Sequence, residues 1–317
     1  MEPRNELDRR NFIARAMGVA TAAAVTIPKL KAQNGHRSPS RLGWFRRRTK
    51  GDKHMSRDRS DARPRTIMLK ARPQPIAVNL QETAVLVSDM QNDFGIKGGL
   101  FDRAGIDLSG IRATILPTAR VLASARSAGV PVVYIKAGLR PDLSNLFRPG
   151  SPLRERFLAY GFGEPAQSPD GRAGRIGIRD TWTTDIIEEL KPEPADIVVY
   201  KHLYSAFHET ELDAVLRGRG IKYLIVTGCT TSVCVESTIR DAHSRDYACI
   251  LLEDCTAEPI GRGAKGYVGV PGAAGATSGG ANYEATLLLV QTIFGWVSKS
   301  ECVVNALDAE RALVMQR

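Results

Sequence analysis

The sequence predicts a three-layer α-β-α domain on a parallel sheet, and three observations predict it. The strand-like runs are continuously apolar rather than alternating, as in strands covered on both faces. They are separated by segments whose apolar residues recur at three- and four-residue spacing, the helical period. An acid, a base and a thiol stand just past the ends of three of these runs, where open α/β sheets place their ligands.

The amino-terminal quarter lies outside this pattern. Residues 1–75 hold 19 Lys/Arg against 6 Asp/Glu, a balance of +13, while residues 76–317 hold 25 against 28, a balance of −3. The whole chain's +10 therefore belongs to the leader, and a basic-domain case for nucleic-acid binding fails for the body. Arg9-Arg10 precede a short, mildly apolar stretch at 16–27 and then Leu30-Lys31-Ala32. This resembles a twin-arginine export signal over 1–32 and points to a periplasmic protein; if the leader is not used, the protein is cytoplasmic. The stretch is too short to span a membrane, so no membrane partner is expected of the mature form. Residues 33–75 are rich in Arg, Lys, Ser, Asp and Pro, bury too little to offset their ordering entropy, and are expected to form a disordered basic linker. The domain is expected over 76–317.

Within it, 83–88 (Thr-Ala-Val-Leu-Val-Ser) reads as a buried strand that ends at Asp89. A helix over 111–128 closes at Gly129, and 130–137 is a second strand. The Gly/Pro-rich stretch 139–179 is long and irregular, as lids, binding loops and oligomer contacts are. A short helix at 184–190 leads to a third strand, 196–200, which ends at Lys201. Helix 209–217, strand 223–227, helix 232–245 and strand 248–252 follow. A Gly/Ala insertion at 261–281 precedes a last helix, 282–297.

Cys234 falls in the first turn of helix 232–245, where the helix dipole and free N–H groups favour thiolate. Asp89, Lys201 and Cys234 thus share one sheet edge: a nucleophile, a cation to hold it as thiolate, and a carboxylate to move protons. The five cysteines are odd in number and include no CxxC pair, which reads as free thiols. The five histidines make no HxH, HxxxH or mixed Cys/His pattern, so no metal site and no cofactor are expected.

Three segments carry a family resemblance: Leu86-Val87-Ser88-Asp89-Met90-Gln91-Asn92-Asp93-Phe94, Lys201-His202-Leu203-Tyr204-Ser205-Ala206-Phe207, and Gly228-Cys229-Thr230-Thr231-Ser232-Val233-Cys234-Val235-Glu236-Ser237-Thr238-Ile239-Arg240-Asp241-Ala242. In order and spacing they resemble the signature blocks of the isochorismatase-like cysteine hydrolases, over about residues 76–310. The resemblance implies a Rossmann-like sheet of six parallel strands, a catalytic triad of Asp89, Lys201 and Cys234, a cis peptide at Cys229-Thr230, and an oxyanion hole from the N–H groups of Thr230 and Cys234. It also implies a homo-oligomer, dimer or tetramer. Isochorismate vinyl-ether hydrolases lack the nucleophilic cysteine. Nicotinamidases carry metal-binding His after the second strand, where 136–146 has none.

Arg219-Gly220-Ile221-Lys222, Cys234-Val235-Glu236-Ser237-Thr238 and Phe294-Gly295-Trp296-Val297-Ser298 are most similar to ureidoacrylate amidohydrolases, then to biuret hydrolases. The implied activity is cleavage of a C–N bond in a small ureido or carbamoyl amide through a thioester, with ureidoacrylate, biuret and N-carbamoyl amino acids as candidate substrates. Asn92, Phe94, Tyr204 and Gln291 are the candidate substrate-binding residues. The alternative outside enzymology is a catalytically silent binding or scaffold relative, which has no need to keep all three triad residues.

Overall fold

The computed structural model of the protein describes residues 65–259 and 279–316. The export segment 1–32, most of the basic linker and nearly all of the Gly/Ala insertion lie outside the described residues.

The fold begins earlier than Ile76. Strands β1 (Thr66–Leu69) and β2 (Ile76–Asn79) pair antiparallel and turn Ile67, Leu69, Ile76 and Val78 inward. Arg65 is fastened at both ends of this region's packing: its guanidinium grips Glu310 at 2.6 and 2.7 Å and donates to the Ala128 carbonyl at 2.9 Å. The predicted linker therefore becomes part of the domain from residue 65 onward.

Strand β3 (Thr83–Ser88) is buried along its whole length. Helices α1 (Asn92–Gly95), α2 (Leu100–Arg103), α3 (Ser109–Ala113) and α4 (Ile115–Ser127) follow, then β4 (Val132–Ala137). The expected single helix 111–128 divides at Thr114 because Pro117 has no N–H to donate back into α3, and it sits instead in the first turn of α4, where none is needed.

The stretch 139–179 is more regular than its composition suggests. It holds α5 (Pro152–Ala159), capped by Ser151, and a small hairpin of β5 (Pro165–Gln167) and β6 (Ala173–Arg175), gathered around Leu139, Leu146, Phe157 and Ile178. The helix expected at 184–190 is replaced by two 3₁₀ turns, Trp182–Thr184 and Glu188–Leu190. The backbone between them is extended and bonds sideways: Asn92 N–H reaches Asp185 O and Ile187 N–H reaches Met90 O.

Strand β7 (Ile197–Lys201), helix α6 (Leu212–Gly218), strand β8 (Tyr223–Cys229), helix α7 (Glu236–His243) and strand β9 (Ala248–Ala257) continue the alternation. The last predicted helix, 282–297, separates into α8 (Gly279–Leu289), a π turn over Val290–Phe294, and strand β10 (Gly295–Ser298). Gly295 marks the break: a Cβ there would stand 2.3 Å from the Cys249 carbonyl oxygen of the neighbouring strand. Helix α9 (Ser300–Met315) packs over α4 and β1 and completes one helical layer.

The sheet order is β10-β9-β8-β3-β4-β7, with every neighbouring pair parallel. One apolar cluster lies on each face, so the sheet is covered twice, as the apolar strands predict. Among the described residues no helix is long and apolar enough to cross a membrane.

Candidate active site

The strand order decides what meets at the carboxyl edge. β3 and β8 are neighbours, and β7 is two places from β3, so Asp89, Lys201 and the turn after β8 converge on the same end of the sheet. Gly228 allows the closest approach: it pairs with Ser88, and any Cβ would fall 1.9 Å from the Ser88 carbonyl oxygen. The peptide between Cys229 and Thr230 is cis, as the family resemblance implies.

Lys201 Nζ lies 2.7 Å from Asp89 Oδ2, with both side chains almost wholly out of solvent. The same carboxylate accepts Ser88 Oγ–H at 3.0 Å and Ala137 N–H at 3.1 Å, and Lys201 also donates to the Tyr204 carbonyl at 2.5 Å. A buried ion pair survives only with its remaining lone pairs and protons satisfied in this way. Asp89 has a φ of +54°, a left-handed conformation uncommon outside glycine that aspartate adopts more readily than most residues.

Cys234 lies in a π turn, Thr231–Val235, that leads into α7, and it is partly open to the cavity. The dipole argument for a resting thiolate does not hold here. Burial, then the Asp89 charge, push the thiol up to about 12, against the opposing pull of Lys201. Burial works to lower the Lys201 ammonium, but the Asp89 carboxylate beside it raises it above its ordinary value. The resting centre is therefore a neutral thiol beside a carboxylate–ammonium pair. Cys229, the second thiol of the region, is fully enclosed and points its Sγ at the Asp89 carbonyl at 3.3 Å, with its acidity suppressed by burial.

The cavity over these groups measures about 50 Å³, space for a few waters. Phe94, Tyr204, Thr230 and Cys234, four of the residues named from the sequence, line it. Phe157 and Phe162, from the 139–179 stretch, close its outer wall and were not anticipated; Phe157 packs its ring against Tyr204 at 6.0 Å between centroids. Two expected binding residues lie elsewhere. Asn92 spends its amide on the Trp182 carbonyl at 2.6 Å, and Gln291 accepts from Arg72 Nε at 2.9 Å beside α8. Neither lines the cavity. Asp93 does line it, accepting the N–H groups of Gly177 and Leu100, and burial raises its carboxyl to about 6.

Comparison with known proteins agrees with this architecture. The isochorismatase domain family matches residues 83–264. The chain is 38 % identical over 243 residues to the ureidoacrylate amidohydrolase RutB of Variovorax paradoxus, covering 77 % of this chain and 88 % of that one. It is 42 % identical over 194 residues to the RutB of Rhizobium rhizogenes, covering 61 % and 78 %. Among solved structures, a cysteine hydrolase from Pseudomonas syringae pv. phaseolicola superposes with a TM-score of 0.57 at 29 % identity, covering 74 % of this chain and 95 % of that one. The protein is thus a hydrolase of the class that acts on carbon–nitrogen bonds other than peptide bonds. It belongs to the isochorismatase family.

Proposed function

We propose that the protein is a cysteine-dependent amidohydrolase that opens a small ureido or carbamoyl amide through a thioester. The observation that carries this is the buried Asp89–Lys201 pair set against the Cys234 thiol at the cavity floor. A thiol held near 12 does not ionise by itself at neutral pH, so it needs a base at the moment of attack. Asp89 takes that proton as Sγ bonds to the carbonyl carbon, and Lys201 compensates the new thiolate charge. The N–H groups of Thr230 and Cys234 receive the oxyanion. Collapse of the tetrahedral adduct breaks the C–N bond, and Asp89 returns the proton to the departing amine or ammonia. Asp89 then draws a proton from water, which hydrolyses the thioester and restores the thiol.

The relatives' printed activity makes ureidoacrylate the first substrate to test, with biuret and N-carbamoyl amino acids next. Phe94 and Tyr204 supply flat walls suited to a planar ureido group. The test is ammonia release by the full-length chain from these three substrate types and from nicotinamide, with Cys234→Ala in parallel. Release from a ureido substrate that vanishes in the variant supports the reading; turnover that survives in the variant overturns it. A homo-oligomer is proposed on the family resemblance and is checked by light scattering. Export of residues 1–32 is likewise proposed, and it is checked by finding the protein in periplasm or cytoplasm after cell fractionation.

A further inference from the structure

The turn that follows β7 holds three side chains that the thiol chemistry does not use. His202, directly after Lys201, lines the cavity. His208 and Glu209 fold back toward it, with Glu209 at a φ of +53°. His202 Nε2 is 3.3 Å from Glu209 Oε2, His208 Nε2 is 3.9 Å from Glu209 Oε1, and the two imidazole centroids are 5.8 Å apart. One ligand atom from each residue can be chosen so that all three lie within 4.8 Å of one another.

These separations are close to those of a chelate. With metal–ligand bonds of about 2.0–2.1 Å in a tetrahedron, neighbouring ligand atoms stand about 3.3 Å apart. The His202–Glu209 edge already has that length. The remaining edges close by rotating His208 and Glu209, whose side chains are 48 % and 70 % exposed and so free to turn. A surface ion pair is the plainer reading, but it accounts for one imidazole on a carboxylate and is worth little; it gives no reason for two.

Donor chemistry selects the ion. Two imidazoles and one carboxylate suit zinc and its neighbours, whereas magnesium and calcium require mostly oxygen. Arg140 and Arg179 also act on His202 electrostatically and oppose an ion held by charge alone. We propose that His202, His208 and Glu209 form a zinc-class divalent metal site at the mouth of the Cys234 cavity, with a fourth coordination position left to water or to an incoming oxygen ligand. An ion there fixes the 202–209 turn, which carries the Tyr204 carbonyl that Lys201 bonds. The inference does not depend on the hydrolase mechanism.

The test is titration of cobalt(II) into the full-length protein, followed by visible absorption, for wild type, Cys234→Ala, His208→Ala and Glu209→Gln. Expected are one equivalent bound in both wild type and Cys234→Ala, d–d bands without a thiolate charge-transfer band, and affinity at least about 10-fold weaker in His208→Ala and Glu209→Gln. No saturable binding overturns the proposal. So does binding unchanged by both exposed-residue variants, or binding that disappears with Cys234, which would assign the ion to the thiols.

Discussion

The two ends of the central sheet differ in a way that volume alone would misread. At the amino ends of β8, β9 and β10 lies an open basin of about 800 Å³, bordered by Arg217, Lys222, Trp296 and Gln291. At the carboxyl ends lies a cavity of about 50 Å³. The basin's charged groups face solvent, and Arg217 and Lys222 are already paired with Asp213 and Glu82. The Cys234 thiol opens onto the small cavity, and the Asp89–Lys201 ion pair next to it is withdrawn from water. Electrostatic effects grow as the effective dielectric falls, so the enclosed end is where a proton can be moved with consequence. Space marks where something fits; buried charge marks where something reacts.

Five variants can break or sharpen that contrast. The largest effects belong to the pair and the thiol. Cys234→Ala should lower kcat by at least about 10⁴-fold, as loss of a nucleophile does. Lys201→Met should abolish turnover and also destabilise the fold by about 3–5 kcal/mol in a urea melt, because Asp89 is left charged and alone in the interior. A Lys201→Met protein that melts like wild type would sink the claim that the two charges sustain each other.

Asp89→Asn separates acidity from catalysis. The Asp89 charge raises the thiol and Lys201 lowers it, so removing the carboxylate leaves a thiol more readily ionised at neutral pH. Turnover should fall by about 10²–10⁴-fold for want of the base, while alkylation of Cys234 by iodoacetamide becomes faster. Slower alkylation would show that Asp89 activates the resting thiol rather than only the attacking one.

A smaller effect is expected at Asp93. Its folded carboxyl is raised to about 6 from an ordinary 3.8, so the folded state binds the proton more tightly than the unfolded chain does. Stability contributed by this group is therefore full below pH 3.8 and is lost as pH rises through about 6. Asp93→Asn should flatten the dependence of the denaturant midpoint on pH across that window, and an unchanged slope would assign it to other groups. The smallest effect is expected from Gln291→Ala at the basin, which should leave kcat/KM within about twofold; a larger loss would carry the basin into the site.

The meeting of Asp89, Lys201 and the Cys234 turn was legible because each stands at or just past the end of a strand, and strand ends in a parallel sheet share an edge. What was not legible depended on partners far away in sequence. Asn92 and Gln291 are amides of a kind that binds substrates, but Trp182 and Arg72 occupy them. Thr66–Leu69 has too short an apolar pattern to stand out from the Arg-rich leader, and it is held by β2 and by Arg65 on Glu310. β10 was hidden inside a helical pattern that only Gly295 interrupts. The His202, His208 and Glu209 group escaped because its spacing matches no regular helix or strand register and depends on the left-handed turn at Glu209.

The closeness of Asp89 and Lys201 has a consequence for how the centre responds to its surroundings. On the mechanism proposed above, the centre holds one negative carboxylate, one positive ammonium and a neutral thiol before attack, and a thiolate, the ammonium and a neutral acid after the proton moves. The sum is zero in both states, so the proton step redistributes charge within the enclosure without importing or exporting any. Added salt, which acts by screening fields that reach the solvent, has little to act upon. The chemical step should therefore proceed at nearly the same rate in dilute buffer and in concentrated brine, and any sensitivity to ionic strength should be confined to the arrival of a charged substrate.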